Sequence, residues 1–267
     1  MKKKDETKRV ALVTGASSGI GYAICGRLLR EGCTVYGLSR RGTAPEGVTG
    51  LSADVTDSAA VDAAVKEVFE REGRIDILVA AAGFGISGPV EFTTDEQAEK
   101  QMNVNFLGQF ACIRAVLPVM RKQHSGSIVC VSSIAGVMAI PYQSFYSASK
   151  AAVNSLALSL RNEVKGFGIK VTAVLPGDTA TGFTDAREKE AAGNEVYPNC
   201  GSAVASMEKD ERGGMTPEAV ADVICRTALR SNPAPLIIAG CKYKAFDLLF
   251  RLLPARLSYA VIGMMYS

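Results

Sequence analysis

The stretch Thr14-Gly15-Ala16-Ser17-Ser18-Gly19-Ile20-Gly21 follows directly on the apolar run Val10-Ala11-Leu12-Val13 and precedes helically spaced residues from Tyr22 to Leu29. A short apolar run bounded by glycine reads as a buried parallel strand. So tight a strand-to-helix turn needs glycine where the backbone takes unusual angles or where another group comes close. The helix that starts there offers free N–H groups and the positive end of its dipole, which suits a pyrophosphate. The spacing G-xxx-G-x-G departs from the G-x-G-xx-G dinucleotide fingerprint. Taken alone, the stretch fits a structural turn equally well.

The same rhythm continues along the chain. Thr34 to Leu38 and Val48 to Ala53 read as strands, Ser58 to Glu72 as an amphipathic helix, and Ile75 to Val79 as a fourth strand. Asp95 to Lys122 predicts a long helical stretch and Gly126 to Val131 a fifth strand, with a helix after it. Ile169 to Val174 is the sixth, ended by Pro176-Gly177, and Pro217 to Leu229 reads as a helix with proline in its first turn. Pro235 to Ala239 is the last strand. Strands alternating with helices predict an α/β fold, a parallel sheet covered on both faces. With no internal repeat, low-complexity block or linker, residues 1–267 are expected to form a single domain.

Tyr146-Ser147-Ala148-Ser149-Lys150 puts a tyrosine and a lysine four residues apart, on one helix face. A lysine ammonium there can stabilise a tyrosinate and pull the phenol below its usual pKa of about 10. A phenol so tuned exchanges a proton with a carbonyl or alcohol oxygen near neutral pH. Alone, the pair is also what an ordinary solvated helix carries. Ser39-Arg40-Arg41 ends the second strand, where NAD enzymes of Rossmann type place an acid to grip the ribose hydroxyls. Two arginines suit a ribose 2′-phosphate instead. NADP(H) is therefore the expected cofactor and NAD(H) the alternative, a solvated basic turn being the ligand-free explanation.

Composition narrows the function classes. A net charge of +3 makes no case for nucleic acid as a partner. The seven cysteines form no CxxC pair, and the single histidine, His124, lacks metal-ligand neighbours, so no metal site is expected. Scattered thiols suit a reducing, cytoplasmic setting. The charged opening from Met1 to Glu6 does not resemble a signal peptide, and no apolar stretch reaches the length of a membrane span.

Two segments break the pattern. Phe183 to Thr216 is polar, carries glycines and shows weak periodicity, so it reads as an irregular substrate loop or lid, with Phe183, Val196, Tyr197 and Met207 as apolar contacts. The C-terminal tail, about 243–267, is rich in Leu, Met, Ile and Tyr from Phe246 onward. It serves the pocket, a subunit contact, a peripheral membrane contact or the chain's own core.

Taken together, Thr14 to Gly21, Ala82-Gly83, Asn105, Ser132-Ser133, Tyr146-xxx-Lys150 and Pro176-Gly177 resemble, in order and spacing, the short-chain dehydrogenase/reductase family. The likeness runs from about residue 9 to residue 240. It implies a doubly wound, Rossmann-type sheet of seven strands that binds NAD(P), in a homodimer or homotetramer. It also implies that Tyr146 is the catalytic acid/base, that Lys150 lowers its pKa and holds the nicotinamide ribose, and that Ser133 hydrogen-bonds the substrate oxygen. By the same resemblance Asn105 links the lysine to a proton-relay water, with Asn103 its neighbouring competitor. The cofactor set it implies is Gly15, Ser17, Ser18, Gly19, Ile20 and Gly21 at the turn and Ser39, Arg40 and Arg41 at the second strand. Asp54 and Val55 resemble the adenine contact, Ala82 and Gly83 follow the fourth strand, and Pro176, Gly177, Thr179 and Thr181 lead to the nicotinamide end.

The chain departs from the family in two places. Ala80-Ala81-Ala82-Gly83 replaces the frequent Asn-Asn-Ala-Gly, removing amides that brace the sheet. The apolar tail is similar to that of members acting on steroids, retinoids or other lipid-like carbonyls, hydroxysteroid dehydrogenases among them. The expected activity is NADP(H)-dependent interconversion of a carbonyl and a secondary alcohol on a small hydrophobic molecule. The alternatives are an NAD-linked dehydrogenase of similar substrates and a non-catalytic dinucleotide sensor.

Overall fold

The computed structural model describes residues 8–189, 193 and 195–265. The charged opening, part of the expected substrate loop and the last two residues of the tail lie outside them. The chain begins in the middle of its sheet with β1 (Val10–Thr14) and passes through α1 (Gly19–Arg30) to β2 (Thr34–Ser39) and β3 (Thr49–Ser52). It returns through α2 (Ser58–Glu72) to β4 (Ile77–Ala80), beside β1. A short strand β5 (Ile86–Ser87), α3 (Asp95–Met102) and α4 (Gly108–Gln123) lead to β6 (Gly126–Val131). Helix α5 (Ser144–Glu163) and β7 (Ile169–Pro176) follow. After β7 come β8 (Glu188–Lys189), α6 (Cys200–Arg212), α7 (Pro217–Leu229), β9 (Leu236–Ala239), α8 (Cys241–Leu252) and α9 (Ala255–Met265).

The main sheet has seven strands in the order β3-β2-β1-β4-β6-β7-β9, all parallel, as the resemblance implies. Its order reverses between β1 and β4, and in such sheets ligands bind outside the carboxyl ends of the strands at the reversal. Alternation along β1 supplies both cores. Val10 and Leu12 face α2, α4 and α5, while Ala11 and Val13 face α1 and α7. Residues buried on both faces explain why the strands read as continuous apolar runs.

Beyond shifts of a residue or two at strand ends, three differences from the sequence reading have a local reason. Ile75 stands outside β4 because the Gln123 side chain serves both its peptide groups, accepting from its N–H at 2.9 Å and donating to its carbonyl at 2.8 Å. The long helix predicted from Asp95 is interrupted at Asn103–Leu107 by a wider π turn, which carries Asn105 into the interior. The loop expected to be irregular contains α6. Its Cys200, Ala203, Val204, Met207 and Glu208 form a buried face at helical spacing. The small residues Gly201, Ser202, Ala205 and Ser206 between them dilute that signal in the sequence.

The missing amides after β4 have a replacement. Thr14, buried at the end of β1, accepts the N–H groups of Ala81 at 2.9 Å and Ala82 at 3.0 Å through its hydroxyl oxygen. Thr14→Val would orphan both donors at about 1–3 kcal/mol each. Urea unfolding should show Thr14→Val clearly destabilised and Thr14→Ser close to the parent. Equal midpoints for the two variants would mean that Thr14 does not brace the strands.

Candidate active site

The glycine turn takes the shape its residues require. Gly15 and Gly19 have φ of +71° and +54°, and a side chain on Gly21 would place its Cβ 2.2 Å from the Gly15 carbonyl oxygen. Ser18 caps α1 without a side-chain hydrogen bond, and no acid lies in the helix's first turn, so its first N–H groups point into open space. That space is a cleft of about 600 Å³ along the carboxyl ends of the strands. Gly15, Ser17, Ser18, Gly19, Ile20 and Gly21 line one part of it, and Ser39, Arg40, Asp54 and Val55 line another. Ala82, Gly83, Ser133, Tyr146, Lys150, Pro176, Gly177, Thr179 and Thr181 complete the part beyond β4.

These residues fit a dinucleotide: a helix N-terminus with open donors sits midway along the cleft, and Arg40, exposed, sits at its β2 end. Arg41 is exposed but outside the cleft wall, and Thr181 lies over the turn, 3.4 Å from where a Cβ on Gly19 would be. Ser39 is buried, and its hydroxyl donates to the Thr43 carbonyl at 2.9 Å, shaping the turn that presents Arg40.

Tyr146 and Lys150 stand one turn apart on α5, facing the end of β6. The two elements are tied in both directions. The Lys150 ammonium donates to the Val131 carbonyl at 3.0 Å, and the Ser132 hydroxyl donates to the Lys150 carbonyl at 3.0 Å. Both serines line the cleft; the Ser132 hydroxyl is committed to this tie, while that of Ser133 stands close enough to the Tyr146 phenol to favour its ionised form. The Ser133 hydroxyl also accepts the Ala135 N–H at 3.1 Å. Gly136 lets the following turn press on α5, because a Cβ there would meet the Lys150 carbonyl at 2.8 Å.

Asn105 is fully buried beside this group, while Asn103 is exposed, which separates the two competitors. The Asn105 side chain accepts the Phe84 N–H at 3.0 Å and donates to the Phe84 carbonyl at 3.0 Å and to Ser149 at 3.2 Å. It pins the segment after β4 against α5. Its Oδ1 and the Lys150 Nζ converge on Gly83, 3.2 and 3.5 Å from a Cβ built there.

The far end of the cleft is apolar with a few polar groups. Phe183 packs on Tyr146 with ring centroids 5.6 Å apart, and Met207 accepts from Gln143 at 3.2 Å through its sulfur. Ile140, Phe84 and Glu211 are close by. Of the expected loop contacts, Phe183 and Met207 reach the cleft and Val196 and Tyr197 do not. Tyr197 instead donates to Glu91 at 2.8 Å and stacks edge-on against Phe92. Gln143, Glu211 and Asp178 escaped the sequence reading. Only Asp178 carried a signal there, its place directly after Pro176-Gly177.

Electrostatics correct one expectation. Burial pushes the Tyr146 phenol up to about 12, the Ser133 hydrogen bond opposing it, so the lysine does not hold it below 10. The ammonium lies 5.7 Å from the ring centroid and spends its hydrogen bond on Val131. Burial also lowers Lys150 to about 8. Near neutral pH the pair is a neutral phenol beside an ammonium, the state that gives a proton to a carbonyl oxygen.

Ultraviolet difference spectra of the protein alone against Tyr146→Phe should accordingly show no tyrosinate from this residue at pH 10. A signal below pH 8 would restore a lysine-lowered phenol. Lys150 provides a second readout. Its folded pKa lies below the unfolded one, so between about pH 8 and 10.5 the unfolded chain binds the extra proton and stability rises with pH. That rise should be absent in Lys150→Met.

Residues 9–192 match the short chain dehydrogenase family. The 3-ketodihydrosphingosine reductase of Bacteroides thetaiotaomicron is 45% identical over 229 residues, 84% of this chain and 85% of that protein. The 3-oxoacyl-[acyl-carrier-protein] reductase MabA of Mycobacterium bovis is 35% identical over 181 residues, 68% of this chain and 73% of that one. A short-chain dehydrogenase from Streptomyces avermitilis superposes with a TM-score of 0.81 at 32% identity, covering 90% of this chain and 91% of its own. The chain belongs to the short-chain dehydrogenase/reductase family, whose members bind NAD(P)(H) and interconvert carbonyls and alcohols.

Proposed function

We propose that the protein is an NADPH-dependent reductase of long-chain, lipid-like ketones, with a 3-keto sphingoid base as its substrate. The observation that carries this reading is the meeting of a neutral Tyr146 phenol, the Ser133 hydroxyl and the Lys150 ammonium below the apolar wall of Phe183, Met207 and Ile140. The 45% identical 3-ketodihydrosphingosine reductase supports the substrate class.

The glycine turn from Gly15 to Gly21 would hold the pyrophosphate of NADPH, and the chemistry that cofactor would supply is hydride for the substrate carbon. Ser133 and Tyr146 hold the carbonyl oxygen between their hydroxyls, and Tyr146 gives it the proton that completes the secondary alcohol. The Lys150 ammonium favours the tyrosinate left behind. Asn105 acts one step back, fixing the segment after β4 against which Lys150 lies. Arg40 would hold the 2′-phosphate, and Asp54 the adenine. We further assign the protein to the cytoplasm as a homo-oligomer, the state usual in its family; six of its cysteines are free and buried.

Purified protein should oxidise NADPH with 3-ketodihydrosphingosine faster than with cyclohexanone or a steroid ketone. Tyr146→Phe should lower turnover by about 10²–10⁴-fold while leaving cofactor affinity near the parent's. A Tyr146→Phe variant with normal turnover would remove the assigned proton donor.

Cofactor choice is separately testable. Losing a charge-assisted phosphate contact costs about 1.5–3 kcal/mol, roughly ten- to a hundredfold in affinity. Arg40→Ala should therefore weaken NADPH by that factor and leave NADH unchanged in competitive titrations. Equal affinity of the parent for the two cofactors would reject the preference.

A further inference from the structure

Helices α8 and α9 are apolar in sequence yet bury almost nothing. Among the described residues, α8 has no buried residue, and α9 buries only Ser258 and Ile262. Leu252 and Met264 are 73% and 71% exposed, and Leu248, Leu249, Leu257 and Val261 are exposed around them. In α9, Leu257, Val261 and Met264 follow helical spacing as one exposed stripe, about a third of a turn from the inward pair Ser258 and Ile262. The two helices form a built hairpin. The Ser258 hydroxyl, with one proton to donate, lies within reach of the carbonyls of Phe250, Leu253 and Pro254 at 3.3–3.5 Å, and Phe250 meets Tyr259 edge-on at 6.0 Å.

Charge decides what this surface fits. Lys242, Lys244, Arg251 and Arg256 accompany the apolar residues, and the one acid of the hairpin, Asp247, is largely covered and paired with Arg251 at 2.8 Å. A second copy docked symmetrically would set positive hairpin against positive hairpin. A layer of phosphate headgroups over acyl chains complements both the cations and the apolar side chains. Among the described residues no helix is long and apolar enough to cross a bilayer, so the fitting geometry is parallel to its surface.

We propose that α8 and α9 form an interfacial anchor that seats the protein on an anionic bilayer surface, its occupant being the anionic lipid headgroup layer. The anchor is fixed to the cleft. Tyr243, in the first turn of α8, lies against Gly177, where a Cβ would overlap its ring, and donates to Asp178. Gly177 and Asp178 both line the cleft, so docking of the hairpin brings the cleft rim towards the lipid surface.

The test is co-sedimentation of the full-length protein with vesicles of phosphatidylcholine alone and of phosphatidylcholine mixed with phosphatidylglycerol, at low and high salt. Strong partitioning to the mixed vesicles, reversed by salt, is expected. Combined Leu252→Gln, Leu257→Gln and Met264→Gln should lower the partition constant at least about tenfold. Combined Lys244→Gln and Arg256→Gln should lower it roughly fivefold per charge, on the anionic vesicles only. All these positions are exposed, and thermal melting should confirm that both variants remain folded. No preference for anionic vesicles, or unchanged partitioning of the folded apolar variant, would overturn the proposal. So would an apolar variant that dissociates an oligomer without changing vesicle binding, which would make a second copy the occupant. The readout needs no turnover, so it stands or fails apart from the assignment of a ketone substrate.

Discussion

A buried ammonium with a backbone carbonyl for a partner is the constraint on which the site depends. Lys150 is almost completely enclosed and donates to Val131, the last residue of β6. Enclosing that charge is costly, as its lowered pKa records, and the fold accepts the cost where sheet and helix meet. The return bond from Ser132 to the Lys150 carbonyl fixes the rotation of α5 about its axis. With that rotation set, Tyr146, one turn earlier, faces the cleft, and Ser133, one residue after the tie, is aimed at the phenol. A single residue's shift in either element would take the Ser133 hydroxyl away from Tyr146.

The same geometry shows why local motifs were readable and their electrostatics were not. The glycine turn, the Tyr146–Lys150 spacing and Asp54 each lie within a few residues of a strand end, so chain order alone places them at one sheet edge. The choice between Ser132 and Ser133, or between Asn103 and Asn105, is a matter of rotation about an axis. For the asparagines a π turn sets that rotation, and no spacing rule announces it. The phenol's pKa depends on how much protein surrounds it, and helical spacing contains no such information. The pair's proximity was correctly inferred, and the sign of the phenol's shift was not, because burial outweighs a cation that is bonded elsewhere.

The substrate end was the least legible region, for a topological reason. Phe84, Gln143, Phe183, Met207 and Glu211 come from four separated segments, and each is ordinary in its own neighbourhood. Their convergence follows from contacts such as the small sheet of β5 with β8, which draws the segment after β7 across the segment after β4. Arg187, between Phe183 and β8, pairs with Glu211 on α6, and Thr184 donates to the same carboxylate at 2.7 Å. Helix α6 is thereby held over the cleft by side chains that look, in sequence, like a solvated charged loop. Polarity there marks internal pairing rather than disorder.

Gly177 carries the last link, from chemistry to surface. It lines the cleft in the turn after β7, and the space left by its missing side chain is filled by the Tyr243 ring. Burial raises the Tyr243 phenol, and its hydrogen bond to Asp178 raises it further, so the hydroxyl remains a donor throughout the neutral range. Asp178 is itself raised by burial, with Tyr243 pulling it back toward the carboxylate. The contact therefore joins a donor that keeps its proton to an acceptor whose charged form that donor favours. Because β9 is the sheet's edge strand and α8 begins immediately after it, this contact stands between the hairpin and free rotation about Gly240, whose φ of +100° no other residue readily adopts. The apolar surface at the C-terminus is in this way held in register with the cleft by one glycine's absence of a side chain and one tyrosine's presence.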